Sequence, residues 1–193
     1  MIIEHSIQKQ TRLADVAGPI TARKAFAAAD EAARSYDADA LCHLLTAGER
    51  INHEGASDLW ELLFLFPNER ARAIFGVGID EDCDPDEEWK LRYLFEDVQP
   101  FVPAEPEGIL GRLLRSGAFD IKGRWRREVE SRPPLPAPFR DSPEAVRALP
   151  VQGEDFVSGD THLTLEARML ATGEAAWWSM AYGVEYTTPF AAG

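Results

Sequence analysis

The side chains that could do chemistry are concentrated in an acidic run near the middle of the chain. The run contains Asp80, Asp82, Asp84, Asp86, Glu87 and Glu88. Acids at every second position would suit a calcium-binding loop, but such a loop also needs glycine at its sixth position and glutamate at its twelfth. Counted from Asp80, those positions hold Pro85 and Leu91. The run is therefore predicted to cap a helix over residues 85–95, and we interpret its carboxylates as a surface that binds a basic partner.

The other reactive residues form no recognisable catalytic motif. The pair His53-Glu54 begins like a zinc-protease helix, but Ser57 stands where such a helix needs its second histidine. The segment 76–78 has two glycines of a dinucleotide-binding loop and lacks the third. The four histidines are scattered along the chain: His5, His43, His53 and His162. We therefore predict no catalytic residue, no metal ion and no cofactor.

Charge is distributed unevenly along the sequence. The formal net charge is −13, and residues 51–110 hold 15 acidic and only 4 basic side chains. Such a field repels nucleic acids and membrane surfaces and attracts basic proteins. Residues 111–150 are basic, with 9 basic and 5 acidic side chains. This stretch could dock onto the acidic segment or onto an identical subunit, so the sequence leaves a homo-oligomer open.

Cysteine content and hydropathy predict a cytoplasmic protein. Cys42 and Cys83 are far apart in sequence, which fits a reducing compartment better than a disulfide framework. The densest apolar run, residues 62–66, stops at Pro67 and is far shorter than the roughly 18 residues that span a bilayer. The first residues show no apolar stretch of signal-peptide length.

Apolar spacing predicts helices in the first two thirds of the chain. The clearest pattern lies in residues 20–35, where alanines and one phenylalanine recur at helical spacing. Further helices are predicted over residues 37–47, 57–66, 68–75, 85–95 and 108–116, each near a capping residue or a terminating glycine or proline. Residues 1–130 are accordingly predicted to be a helical region.

The C-terminal third has a different pattern. Five prolines in residues 131–143 predict an extended connector. Residues 161–169 and 178–186 alternate apolar and polar side chains around a turn at Thr172-Gly173, which is typical of an antiparallel hairpin. The predicted fold class is therefore α+β: N-terminal helical hairpins, ankyrin-like or a bundle, followed by a small antiparallel β-sheet within residues 144–193.

The ends of three predicted helices share a pattern that resembles ankyrin repeats. Each places a bulky apolar pair shortly before a glycine and a polar loop, at Gly48, Gly78 and Gly117. The segment 39–52 is the most similar to the second helix and loop of that family. The resemblance covers about residues 22–123 and implies a stack of helices with a protein-binding surface.

A second resemblance leads to a different function. Residues 21–46 look like the opening helices of the nuclear-transport-factor-2-like fold, which ends in long antiparallel strands. That resemblance implies a small-molecule enzyme or binder with an apolar pocket. It would place one of the histidines beside a carboxylate within an enclosed cavity.

Taken together, these patterns favour a non-catalytic, acidic protein-binding module. The expected role is stoichiometric inhibition of a basic partner, as by an immunity protein or an antitoxin. Outward-facing Trp178 and Tyr182 are predicted to anchor that interface, since these residue types dominate binding hot spots. Two alternatives stay open: a DNA-mimic inhibitor from a phage or mobile element, and the small-molecule enzyme.

Overall fold

The computed structural model describes residues 3–13, 18–47, 51–78, 92–100, 132–150, 164–170, 172–181 and 184–191. Ten strands and two helices occur in this part of the chain. In chain order they are β1 (Ile7–Leu13), β2 (Ile20–Thr21), α1 (Ala22–Tyr36), β3 (Leu41–Ala47), β4 (Ala56–Ser57), β5 (Trp60–Phe66), β6 (Ala71–Gly78), β7 (Arg92–Pro100), α2 (Ser142–Arg147), β8 (Thr164–Met169), β9 (Ala175–Ala181) and β10 (Val184–Pro189).

Eight of these strands form one antiparallel sheet in the order β1-β7-β6-β5-β3-β8-β9-β10. The strands β2 and β4 pair separately as a short ribbon. Helix α1 packs on one face of the large sheet, which we call the inner face. Its alanines at positions 22, 25, 29 and 33 are fully buried, and their small size lets the helix lie close to the strands.

The predicted N-terminal helical hairpins are wrong, and so is the ankyrin-like repeat. The segments 37–47, 57–66 and 68–75, which were expected to be helical, contain β3, β5 and β6. The helix predicted over residues 85–95 conflicts with β7, which begins at Arg92. The helix expected over residues 108–116 lies outside the described residues. By contrast, the helix predicted over residues 20–35 is confirmed as α1.

A β-bulge explains why β3 has helix-like spacing. The pairing of β3 with β5 shifts register between Cys42 and Leu44. Leu41 and Leu44 therefore lie opposite Leu65 and Leu63 on the same face of the sheet, although they are three residues apart. The bulge thus imitates one turn of a helix in the sequence.

Strand β5 was misread because both of its faces are apolar. Trp60, Leu62, Phe64 and Phe66 alternate along it and are buried on the inner face, while Leu63 is buried on the opposite face. A strand that is covered on both sides reads as a continuous apolar run, and such a run cannot be distinguished from a buried helix by its period alone.

The C-terminal strands extend the same sheet and do not form a separate small one. Strands β8 and β9 pair antiparallel around Gly173, whose φ of 85° suits the turn between them. Strand β10 pairs with β9, and β8 pairs with β3. The hairpin predicted around Thr172-Gly173 is confirmed by β8 and β9, but its predicted second run, residues 178–186, is divided between β9 and β10. The predicted separation of a small C-terminal sheet from the rest is also wrong.

The N-terminus of α1 is capped from a distant part of the chain. The backbone N–H of Ala22 donates to Ser142 Oγ at 2.9 Å, and that of Arg23 donates to Asp141 Oδ1 at 2.9 Å. The Ser142 hydroxyl donates in turn to the carbonyl of Gly55 at 2.6 Å. Side chains at the start of α2 thus satisfy N–H groups that the first turn of α1 leaves without helical partners.

A hydrogen bond and ring contacts attach the Pro-rich segment to the inner core. The N–H of Leu135 donates to the carbonyl of Cys42 at 2.7 Å. The ring of Phe139 stacks on Phe190, with centroids 4.8 Å apart, and meets Phe26 of α1 edge-on. Segment, helix and C-terminal strand therefore share one core. Within the described residues, no helix is long and apolar enough to cross a membrane.

Candidate binding groove

An open groove of about 530 Å³ lies on the outer face of the sheet, the face opposite α1. Apart from Leu59, which precedes β5, its residues come from four neighbouring strands, β5, β6, β7 and β1. Strand pairing aligns the side chains of these strands in two rows across the sheet. The first row runs through Glu61, Gly76, Phe95 and Gln10, and the second through Ile74, Asp97 and Gln8. Its volume falls within the range typical of ligand sites, roughly 300–1,000 Å³.

Gly76 leaves a gap in the first row because it has no side chain. It lies between Glu61 of β5 and Phe95 of β7, where any other residue would project a side chain into the groove. A Cβ added there would stand 3.6 Å from the Phe95 Cβ and 3.9 Å from a methyl group of Leu59, which is ordinary packing distance. The gap therefore has an apolar floor and is free of backbone strain.

The second row supplies an acceptor with unused capacity. Asp97 Oδ2 accepts a hydrogen bond from the Gln99 side chain at 2.9 Å. Asp97 Oδ1 is buried and has no hydrogen-bond partner among the described residues. A buried acceptor without a partner costs roughly 1–3 kcal/mol, and rotation of this carboxylate towards a bound donor would recover part of that cost.

A polar cluster of Lys9, Tyr36 and Glu96 lies behind the groove, where β1 and β7 meet α1. Lys9 Nζ lies 3.3 Å from Glu96 Oε1, and the Tyr36 hydroxyl donates to Glu96 Oε2 at 2.8 Å. Burial, followed by the hydrogen bond to Glu96, raises the pKa of Tyr36 to about 12. The phenol is therefore protonated at neutral pH, and it fixes β7 against the C-terminal end of α1.

The groove is suited to binding by contact and charge. Its floor offers the side chains of Leu59, Ile74 and Phe95, and its walls carry the carboxylates of Glu61 and Asp97. Lys9 also borders the groove, but its charge is already paired with Glu96. An apolar group with an attached cation or N–H donor would match both features.

The structure describes the position of only one of the predicted partner-binding residues. Trp178 lies in β9 on the outer face, opposite Glu166 of β8 and Thr187 of β10, and it is half-buried. Strands β3 and β8 separate it from the groove. The other predicted residues, Asp80, Asp82, Asp84, Asp86, Glu87, Glu88 and Tyr182, lie outside the described residues.

None of the described histidines, His5, His43 and His53, lines the groove. His43 is buried on β3, with 6% of its surface exposed, and His53 is exposed in a turn. His162 lies outside the described residues. In the part of the chain that the structure describes, no three His, Cys, Asp or Glu side chains come together as metal ligands would.

Sequence reasoning missed every residue of the groove. Glu61 and Asp97 are 36 positions apart and belong to strands that are not direct neighbours, so only the pairing of both strands with β6 brings them to one site. The signal that was available is the alternation in β7, which places Phe95 and Asp97 on one face.

No protein-family model, no curated protein and no solved structure matches the chain.

Proposed function

We propose that this chain is a non-catalytic binding module that holds a basic segment of another protein in the outer-face groove. The observation that carries the proposal is the combination of an apolar floor at Gly76 and Phe95 with the carboxylates of Glu61 and Asp97. Such a module acts by occupying its partner one to one, as an immunity protein or an antitoxin does.

The net charge supports a basic partner. At −13, the chain attracts cationic surfaces over distances of about one Debye length, roughly 8–10 Å at physiological salt. Long-range attraction of this kind raises association rates, whereas local contacts in the groove set the dissociation rate. Both effects favour the same type of ligand.

The dimensions of the groove define the length of the segment. The groove crosses four strands, which spans three strand spacings, or about 14 Å. An extended peptide of about four residues covers that distance at roughly 3.3 Å per residue. We propose one apolar side chain seated beside Gly76 and one Lys or Arg that reaches Glu61 or Asp97.

Selection from a library of displayed peptides would test this function. We expect the enriched sequences to pair a Lys or Arg with an aliphatic or aromatic residue. Their affinity should fall about tenfold or more in Gly76→Leu, which fills the gap, and in the double variant Glu61→Lys/Asp97→Lys. Fluorescence anisotropy at low and high salt measures both effects.

The double variant Glu174→Lys/Glu185→Lys is the matched control for charge, because it also reverses two carboxylates and both are exposed. Glu174 precedes β9, and Glu185 lies on β10, four strands beyond β5 in the sheet order, so reversal of their charges leaves the groove intact. Enriched peptides that are acidic or neutral would contradict the proposal. So would affinities that ignore salt, or that the Glu174/Glu185 variant lowers as much as the groove variants do.

A further inference from the structure

Leu59 limits the groove at one end. It stands directly before β5 and continues the outer face of that strand, on which Glu61 lies two positions further along. Its side chain extends over β6. The methyl carbon Cδ1 of Leu59 lies 3.9 Å from the position of a Cβ built at Gly76 and 2.8 Å from that of a Cβ built at Gly78. Leu59 therefore covers part of a strand on which two successive outer-face positions are glycine.

The two glycines differ in the space above them. A Cβ at Gly78 would overlap Leu59, because carbon atoms do not approach to 2.8 Å unless one of them shifts. A Cβ at Gly76 would meet Phe95 at 3.6 Å and Leu59 at 3.9 Å, which is ordinary contact. Leu59 thus fills the space above Gly78, whereas the space above Gly76 belongs to the groove and lies between Phe95 and Leu59.

The backbone around Leu59 is held in place. The Ser57 hydroxyl donates to the Leu59 carbonyl at 2.9 Å and accepts from the Leu59 N–H at 3.3 Å. Arg92, whose side chain is 1% exposed, donates to the carbonyl of Asp58 at 2.5 Å and to its carboxylate at 2.6 Å. Separation of a buried charge from its partner is strongly destabilising. The backbone of Leu59 therefore resists displacement by a ligand.

We propose that Leu59 determines the specificity of the groove and restricts the apolar side chain of its ligand to an aliphatic one no larger than Leu. This inference rests on the proposed function and narrows it to basic segments whose apolar residue is aliphatic. Aromatic rings owe their binding energy to a large flat contact area. A ring that lay flat on β6 would need the space above both Gly76 and Gly78, and Leu59 already fills half of it.

A series of defined peptides tests this size limit. One basic peptide enriched on the wild type is synthesised with Val, Leu, Phe or Trp at its apolar position, and fluorescence anisotropy gives the four dissociation constants. We expect the wild type to prefer Val or Leu to Trp by about tenfold, the lower end of the effect of one excess methylene in an apolar pocket. Leu59→Ala uncovers the space above Gly78 and should reverse the order, with Trp or Phe bound most tightly.

Gly78→Ala changes the position of Leu59 without adding a side chain to the residues that line the groove. The new Cβ overlaps the Leu59 methyl group, which must shift. We expect the affinity for the Leu peptide to fall about fivefold. This loss should vanish in Gly78→Ala/Leu59→Ala, because the Cβ of residue 59 lies 3.7 Å away and needs no shift.

Leu65→Ala is the matched control. Leu65 lies on the same face of β5 and is half-buried, but it is not among the described residues that line the groove. It should leave the order of the four peptides unchanged. The inference would be overturned by a wild-type order that persists in Leu59→Ala, by a reversal in Leu65→Ala as well, or by a Gly78→Ala loss that persists in the double variant.

These outcomes leave the proposed function standing, since the peptides still bind in the groove. The proposed function itself fails if no enriched peptide loses affinity in Gly76→Leu, and the inference then fails with it. Circular dichroism of each variant confirms that the sheet stays folded.

Discussion

The two faces of the eight-stranded sheet differ in how completely they bury their residues. On the inner face, Phe64 and Phe75 are fully buried against α1 and against each other, with ring centroids 5.4 Å apart. On the outer face, Ile74 and Phe95 of the neighbouring strands are only half-buried beside the groove. The inner face therefore holds the fold together, whereas these outer residues are left available for binding at little cost in stability.

Truncation of one phenylalanine on each face should give the largest contrast. We expect Phe64→Ala to lower the free energy of unfolding by about 4 kcal/mol, because it removes a fully buried ring between α1 and β6. Phe95→Ala should cost about 1–2 kcal/mol, since its side chain is only partly buried. Urea denaturation of both variants measures the two values, and equal losses would contradict the distinction between the faces.

Two glycines with positive φ test how much the close packing beside the α1 cap contributes to stability. Gly55 has a φ of 77°, and a Cβ placed there would overlap the backbone nitrogen of Pro143 beside the α1 cap. Gly173 has a φ of 85°, but no atom of the described residues lies within 4 Å of an added Cβ. Gly173→Ala therefore isolates the strain of the left-handed conformation.

We expect Gly173→Ala to cost about 1–2 kcal/mol, the strain of a left-handed residue alone. Gly55→Ala should cost about 3 kcal/mol or more, because overpacking adds to the same strain. Thermal or urea denaturation of the pair gives the difference. Similar losses in the two variants would show that the contact between the Gly55 turn and α2 does little to hold the N-terminus of α1.

Part of the inner face could be predicted from the sequence, but almost nothing of the outer face could. Helix α1 was predictable because its buried alanines recur at three- and four-residue intervals. Strand β3 was not, since its bulge gives Leu41 and Leu44 a helical interval. The caps that Asp141 and Ser142 supply to α1 act over 118 and 120 positions, and local patterns carry no trace of such contacts.

The groove was hidden for a related reason. Its carboxylates, Glu61 and Asp97, look like ordinary solvated residues in a chain with 33 acidic side chains. Their importance comes only from Gly76, which lies between their strands and leaves a gap. The sequence pattern indicates the densest acidic segment instead, although charge density alone does not create a shaped site.

A comparison of two aspartates, Asp37 at the end of α1 and Asp97 on the outer face, should give the smallest difference in stability. Asp37, 3% exposed, ends α1 and accepts hydrogen bonds from the Asn68 backbone and side chain, each at 2.8 Å, and from the Asp39 backbone at 3.0 Å. Burial alone would raise the pKa of Asp37, but these hydrogen bonds outweigh it and lower the pKa below its usual value. The ionised form is thus stabilised in the folded state.

A depressed pKa contributes stability that is complete above the usual carboxyl pKa, near 3.9, and is lost as pH falls through the folded value. We expect Asp37→Asn to cost about 2 kcal/mol at pH 7, because an amide cannot accept at both of its positions. The difference from wild type should shrink as the pH falls below about 4.

At pH 7, Asp97→Asn on the outer face should change stability by less than about 0.5 kcal/mol, since Asp97 Oδ1 has no partner to lose among the described residues. Urea denaturation across this pH range measures both variants, and a pH-independent loss in Asp37→Asn would show that the loop contact depends on shape and not on charge.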